Sequence, residues 1–169
     1  MNFLPQQRQL LSQLRQDVQF HYEVANRRPP GPLPLLILTN PSIRAVALMR
    51  LAASSTGFSY TLWRNLLMAL HGCDVASGAI IIGPIDCPHP VGIVFGTGVR
   101  VGAGVRIFQH VTLGQSRAGG YPEVNDHTTL YSGSVVAGDV TVGPRAVIGA
   151  NVVVTADVPR DSVARGVRR

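Results

Sequence analysis

A six-residue repeat constrains the fold of this chain more than any other feature. From Phe95 an aliphatic residue or Phe recurs at every sixth position, through Val101 and Ile107 to Leu113, and Gly often follows it. A second series has the same period and consists of Val124, Leu130, Val136, Val142, Ile148 and Val154. This period fits neither the 3.6 residues of a helical turn nor strand alternation, but it is typical of hexapeptide β-helix repeats. The sequence therefore predicts a mainly β chain in which residues 73–159 coil into a parallel β-helix, with inward aliphatic side chains stacked from coil to coil.

The period is interrupted between Leu113 and Val124, which are eleven positions apart where six are expected. About five extra residues within 115–122 predict a loop that bulges from the solenoid, and such loops often carry function. A Val- and Gly-rich β-sandwich is the alternative fold, but it would have to produce the phased repeats by chance.

Residues 1–72 form a separate N-terminal region that is predicted to be helical. Segments with apolar residues at helical spacing are 5–25, 41–54 and 59–71. Four prolines and a glycine in 26–34 predict a linker, and a short apolar run follows at 35–38. Asn40 before Pro41 is a typical helix start, and Asp17 is expected to lie off the apolar face of the first helix. We expect these helices to cap the first coil or to pack between subunits.

The charge of the chain favours a small phosphate-bearing ligand over nucleic acid. The net charge is +6, and all fifteen basic residues are Arg. They are scattered and do not alternate with aromatic residues as in a single-strand platform, so no nucleic-acid partner is expected. The basic tail, residues 160–169, is the one place where arginines cluster at the end of the solenoid.

Other properties predict a cytoplasmic protein without a membrane partner. No apolar run reaches the roughly 18 residues of a membrane span, and the N-terminus lacks a signal-peptide pattern. Hydrophobic residues make up 46% of the chain and mean hydropathy is +0.20, which suggests subunit contacts. Cys73 and Cys87 lack metal-ligand spacing and are expected to be free and buried, the alternative being an exposed thiol beside the candidate site.

Two motifs resemble the serine O-acetyltransferase family of hexapeptide acyltransferases. They are His-Pro-Val-Gly-Ile-Val-Phe-Gly at 89–96 and Ile-Phe-Gln-His-Val-Thr-Leu-Gly at 107–114, and segments 14–18 and 41–51 look like the N-terminal helices of the family. The resemblance implies a left-handed parallel β-helix that assembles at least as trimers, with acetyl-CoA in the groove between neighbouring subunits. No metal is expected. Because the helical region is short, we expect a homotrimer, with a dimer of trimers as the alternative.

Asp74 and His89 are the candidate catalytic residues. Acyl transfer to a hydroxyl needs a base, and a carboxylate on the other ring nitrogen of a histidine base fixes its tautomer. The two residues are fifteen positions apart, close to one coil of about eighteen residues, which predicts that they lie nearly one above the other. The Asp/His pair of the family has the same separation, so the resemblance implies that His89 is the base and Asp74 orients it. The alternative is that His89, between two prolines, is an ordinary turn residue.

The resemblance also implies contacts to acetyl-CoA. Positions that match the pantetheine-binding groove are Gly114, Ser132 and Ala150, and the last two are eighteen apart and so belong to one row. Arg165 and Arg168 are candidates for the adenosine phosphates. Small residues at solenoid corners would explain the groove positions equally well. His110 and His127 are expected to be structural, although His110 could line the groove.

The acceptor-binding positions of the family are changed here. Its Asp-Pro pair, its Asp before the catalytic His and its Arg-His loop pair correspond to Ala25-Asn26, Pro88 and Gly120-Tyr121. Charged residues nearby that could replace the lost groups are Glu23, Asp86, Arg117 and Glu123. The expected activity is acetyl transfer to L-serine or a serine-like small hydroxyl acceptor. A sugar or secondary-metabolite acceptor and a non-catalytic scaffold are the alternatives, and the missing acidic tail argues against a complex with cysteine synthase.

Overall fold

The computed structural model describes residues 3–166, so the predicted phosphate contact Arg168 lies outside the described residues. Its helices are α1 (Phe3–Val24), α2 (Leu33–Thr39), α3 (Pro41–Ser54) and α4 (Gly57–His71). Three of them were predicted, with boundaries within two residues. The short helix α2 was not predicted from the sequence, because its prolines would break a helix interior, whereas Pro is accommodated in the first turn of a helix.

The start of α3 follows the predicted pattern. The Asn40 side chain accepts hydrogen bonds from the backbone N–H groups of Ser42 and Ile43 at 2.9 and 3.3 Å, and Pro41 occupies the first turn. At the end of α4, Gly72 adopts a left-handed conformation with φ of 61°. This turn leads the chain directly into the first strand.

Short parallel strands make up the rest of the described chain. They are β1 (Asp74–Val75), β2 (Ile80–Ile81), β3 (Ile85–Asp86), β4 (Val94–Phe95), β5 (Arg100–Val101), β6 (Val105–Ile107), β7 (Thr112–Gly114), β8 (Glu123–Val124), β9 (Thr129–Leu130), β10 (Val135–Ala137), β11 (Thr141–Val142), β12 (Val147–Ile148), β13 (Val153–Val154) and β14 (Val163–Ala164). The first sheet has the order β1-β4-β7-β10-β13, the second β2-β5-β8-β11, and the third β3-β6-β9-β12-β14. Up to β10, each strand pairs with the strand three further along, and β12 pairs with β14. The chain is therefore a parallel β-helix of about five coils, as predicted. Its last strand lies beyond residue 159, within the predicted tail.

The predicted repeat positions form the core of the β-helix. All ten hexapeptide positions, from Phe95 to Val154, are buried and belong to one cluster. The cluster continues into α3 and α4 through Met49 and Leu67, both 0% exposed. The helices therefore cover the first coil, which is one of the two expected arrangements.

Coil lengths depart from eighteen residues at three places, one of them the final coil, where sixteen positions separate the paired residues of β12 and β14. Eighteen positions separate Val94 from its partner Thr112, and eighteen separate Val135 from Val153. Between Thr112 and Val135 the separation is twenty-three, which confirms the five-residue loop. From Asp74 to Val94 it is twenty, so the first coil has two additional residues.

These two residues lie in the corner between the third and first sheets. Eight positions separate Asp86 from Val94, whereas six separate Arg106 from Thr112 in the next coil. The prediction of a single interruption was therefore wrong. His89 lies within this longer corner.

Two of the corners contain residues with positive φ at equivalent positions of successive coils. At the corner between the third and first sheets, φ is between 56° and 70° at Gly92, His110, Gly133 and Asn151. His127 has the same conformation at the corner between the second and third sheets. The His110 and His127 rings contact Gly92 and Gly104 where a Cβ would clash with Nδ1, so these glycines are required. Both histidines are thus corner residues, in agreement with a structural role.

A buried ion pair attaches α1 to the β-helix. Asp17 and Arg50 are 1% and 3% exposed, and the Arg50 Nε and Nη2 atoms donate to the Asp17 carboxylate at 2.6 and 2.8 Å. Arg50 also donates to the carbonyl oxygens of Ile81 and Gly83, and the Ile85 N–H donates to Asp17. The expectation that Asp17 lies off the buried face was wrong, because its partners are on α3 and the first coil.

Within residues 3–166, no single helix combines the length and apolarity of a membrane span, and α2 and α3 meet that criterion only as a pair bent by 104°.

Candidate active site

His89 is exposed on the longer corner of the first coil. Pro88 before it accepts a hydrogen bond from the Ser42 hydroxyl at 3.2 Å, and the Val91 N–H donates to the His89 carbonyl at 2.8 Å. The imidazole lies 6.3 Å from the Phe108 ring, centroid to centroid, at an interplanar angle of 50°. The N-terminus of α3 and the corner backbone thus hold the loop while the ring faces outward.

Asp74 begins β1 and is bound by an arginine of α4. Arg64 Nε and Nη2 each donate to one carboxylate oxygen at 2.7 Å. The hydrogen bond and charge of Asp74 raise the pKa of the Arg64 guanidinium. His89 is not among the hydrogen-bond partners of Asp74 in the described residues. The sequence predicted that the two residues lie nearly one above the other, because it assumed a coil of about eighteen residues. This coil has twenty residues, and the residue that pairs with Asp74 is Val94.

The segments that carry the two residues are nonetheless neighbours. The Asp74 N–H donates to the Ile93 carbonyl at 2.8 Å, and the Gly92 N–H donates to the His71 carbonyl at 3.4 Å. The residues that follow His89 in this corner are therefore hydrogen-bonded to Asp74 itself and to His71, three positions before it.

His71 packs beneath this corner as a buried histidine. Burial lowers its pKa, and the charge of Arg44 lowers it further. Arg44 Nε donates to His71 Nε2 at 3.3 Å, so Nε2 acts as an acceptor, and the His71 ring also forms a hydrogen bond with the backbone of Pro90. The neutral imidazole is thus part of the support of the His89 corner.

The free energy of unfolding is expected to fall as the pH decreases through about 6.5, the ordinary pKa of histidine. Below that pH the unfolded chain binds a proton at His71 that the folded chain, with its lowered pKa, does not. His71→Gln keeps an acceptor for Arg44 and should show a weaker pH dependence. Urea unfolding at several pH values from about 8 to 5 measures this, and an identical pH dependence in the variant would contradict it.

Asp86 is the centre of a second charged cluster three residues before His89. It is 2% exposed, and its carboxylate binds His21 Nδ1 of α1 at 2.7 Å and Arg106 Nε of β6 at 3.2 Å. Arg106 also lies over Phe108, with Cζ 5.5 Å from the ring centroid. Sequence reasoning considered Asp86 only as an acceptor contact and missed His21, Arg106 and Phe108. The pairing of Asp86 with Arg106, twenty positions later in the same sheet, is the signal that could have found them.

The structure places the predicted acceptor residues at different points. Pro88 adjoins His89, whereas the Tyr121 ring lies against Gly96 and Gly98 at another corner of the same chain. Ala25 and Asn26 are exposed just after α1 ends at Val24. Of these residues, Pro88 is the direct neighbour of the candidate base in the chain.

The candidate CoA positions form two groups. Ser132 and Ala150 occupy one row, as expected, since the Asn151 N–H donates to the Ser132 carbonyl at 2.9 Å. Gly114 lies in the first sheet and Arg165 is exposed just after β14. Tyr131, which stacks on Phe108 at 5.1 Å, immediately precedes Ser132, so the candidate row begins next to the aromatic neighbour of His89.

Both cysteines are free and buried, as expected. Burial raises the pKa of the Cys73 thiol and raises that of Cys87 well above its ordinary range. The alternative of an exposed thiol beside the site is wrong. Within residues 3–166, no three His, Cys, Asp or Glu side chains are grouped so that they could hold a metal ion.

Comparison with known proteins agrees with this fold. The family model described as bacterial transferase hexapeptide (six repeats) matches residues 121–156. The solved structure "Serine Acetyltransferase- Complex with CoA" superposes with a TM-score of 0.76 at 27% identity, over 94% of this chain and 67% of that chain. Fold and repeat together define a hexapeptide-repeat transferase.

Curated relatives specify the family. The serine acetyltransferase of Mycobacterium tuberculosis (strain ATCC 25618 / H37Rv) is 34% identical over 173 residues, which is 94% of this chain and 71% of the relative. The chain belongs to the serine acetyltransferase family, whose members are O-acyltransferases. It spans less than half of a second relative, the enzyme of Staphylococcus xylosus, with 34% identity over 99 residues, 57% of this chain and 46% of that protein.

Proposed function

We propose that this protein transfers the acetyl group of acetyl-CoA to the hydroxyl of L-serine. The observation that supports this most directly is the 34% identity to a serine acetyltransferase over 94% of the chain. A structural relative at 27% identity is a complex with CoA, which supports the choice of donor.

In this proposal His89 is the general base. Its ring is exposed, and no hydrogen bond to it is recorded in the described residues, so it is accessible to a hydroxyl. The imidazole takes the hydroxyl proton as the oxygen attacks the thioester carbonyl carbon. When the carbon–sulfur bond breaks, the imidazolium returns the proton to the thiolate, which leaves O-acetylserine and CoA.

Asp74 is proposed to orient His89 and to stabilise the imidazolium. A carboxylate has about four lone-pair positions, and Arg64 uses one on each oxygen, so Asp74 can accept a further hydrogen bond. The backbone bonds that join the two segments support an approach of the ring to this carboxylate when substrates bind. Arg64 then fixes the carboxylate from the side of α4.

The donor is proposed to lie along the row that includes Ser132 and Ala150, with Gly114 beside it. Arg165 and Arg168 are proposed to bind the phosphates of the donor. This groove would lie between subunits of a homotrimer, and exposed apolar residues on or beside the strands support such contacts. They are Ile80, Ile82, Val153 and Val163.

The test is turnover by the purified protein with acetyl-CoA and L-serine. Release of the CoA thiol and formation of O-acetylserine, identified by mass spectrometry, are expected together. L-alanine is the matched control because it differs from L-serine only in the hydroxyl. Equal thiol release with both amino acids would contradict the proposal.

A further inference from the structure

An arginine is held in place near the candidate base. Arg106 Nε donates at 3.2 Å to Asp86, which is 2% exposed and is also bound by His21 at 2.7 Å. The guanidinium lies over the Phe108 ring, which is the aromatic neighbour of His89. A buried carboxylate behind it and a ring beneath it restrict the orientation of this side chain, which is the kind of support that a binding group needs.

Most of the donors of Arg106 are still available. A guanidinium has five N–H groups, and within the described residues only Nε is used. The side chain is 35% exposed, so the group is accessible to solvent. A fixed guanidinium fork matches the geometry of a carboxylate.

The carboxylates around His89 already have cationic partners. Arg64 binds both oxygens of Asp74, and Asp86 is shared between His21 and Arg106. Arg106 uses only its Nε atom for Asp86, so its two terminal nitrogens remain for a small acceptor. Such guanidinium donors bind a carboxylate more strongly than a neutral group.

We infer that Arg106 binds the carboxylate of the acceptor and so selects small hydroxy acids, including hydroxy amino acids, over sugars and amino alcohols. This inference rests on the proposed function and identifies the substrate class of the same site. It also explains how the chain can retain a carboxylate subsite although Gly120 and Tyr121 replace the family's Arg-His pair. The cation comes from the second coil instead of the bulging loop.

The experiment measures acceptor binding directly, independently of turnover. Isothermal titration calorimetry of the full chain with CoA present uses three probes: L-serine, L-glycerate and serinol, which lacks a carboxylate. Serinol should bind at least about tenfold more weakly than L-serine. Arg106→Gln should weaken both carboxylate probes by about 10- to 100-fold and leave serinol unchanged. Arg106→Lys should recover part of the affinity.

Arg100→Gln is the matched control, because it removes the same charge from the same coil at an exposed position in the second sheet. It should leave all three affinities unchanged. Thermal unfolding shows whether Arg106→Gln is folded, and the comparison of L-serine with serinol on the unaltered protein needs no variant.

Three results would overturn the inference: equal binding of serinol and L-serine, unchanged carboxylate binding in Arg106→Gln, or no binding of any probe. A separate turnover assay distinguishes failure of the carboxylate site from failure of the proposed function. Arg106-dependent binding without acetyl transfer would contradict the proposed function and leave the carboxylate site in place.

Discussion

His89→Ala is expected to lower kcat for acetyl transfer by about 10²- to 10⁴-fold, the usual contribution of a general base. The serine hydroxyl would then lose its proton to water instead of to a positioned imidazole. The KM for acetyl-CoA should change little, because the candidate donor positions lie along other coils. Steady-state thiol release with L-serine, together with detection of O-acetylserine, measures both parameters.

His127→Asn is the matched control for this substitution. His127 is an exposed histidine at another corner, and Asn tolerates its φ of 59° better than Ala does. The control should retain wild-type kcat. Full activity in His89→Ala, or an equal loss in His127→Asn, would remove His89 from the mechanism.

Asp17→Ala is expected to lower the free energy of unfolding by about 3–5 kcal/mol, the usual cost of breaking a buried ion pair. It leaves the Arg50 guanidinium uncompensated at 3% exposure and removes the acceptor of the Ile85 N–H. These contacts join α1, α3 and the first coil, so the loss should loosen the N-terminal helix from the β-helix. Urea unfolding at one fixed protein concentration measures the change, because assembly also affects apparent stability.

Two further variants separate the ion pair from the helix itself. Gln16→Ala changes an exposed neighbour on α1 and should shift the unfolding free energy by less than about 0.5 kcal/mol. Replacing both partners, Asp17→Leu with Arg50→Met, should recover much of the loss, since no unpaired charge remains. A loss below about 1 kcal/mol in Asp17→Ala would show that the pair does not anchor the helix.

The fold was largely predictable because the hexapeptide positions carry its packing. Each repeat position from Phe95 onward is buried, and the loop within 115–122 followed from counting sixes. The longer first coil was missed because the count began at Phe95, after the corner that contains it. Asp17 was misplaced because a helical pattern locates apolar side chains and gives no information on a partner 33 residues away.

The sequence predicted which segments of the chain meet at the candidate site, but not the side-chain contacts within it. His89 and Asp74 do lie on neighbouring parts of the first coil. The sequence did not reveal that Arg64 binds Asp74, or that Arg106 and His21 share Asp86. These are contacts between side chains of different elements, and the period of six residues carries no signal for them.

The two additional residues of the first coil lie in the corner that carries His89, between the strands whose pairing builds the β-helix. Strand pairing continues on both sides of this corner, from Asp86 to Arg106 and from Asp74 to Val94, with the same parallel register as elsewhere. The backbone around His89 thus stands outside the ladders that stabilise the coils. Evolution could therefore remodel this corner, its length included, to suit a new acceptor while the same stacked scaffold continued to fold.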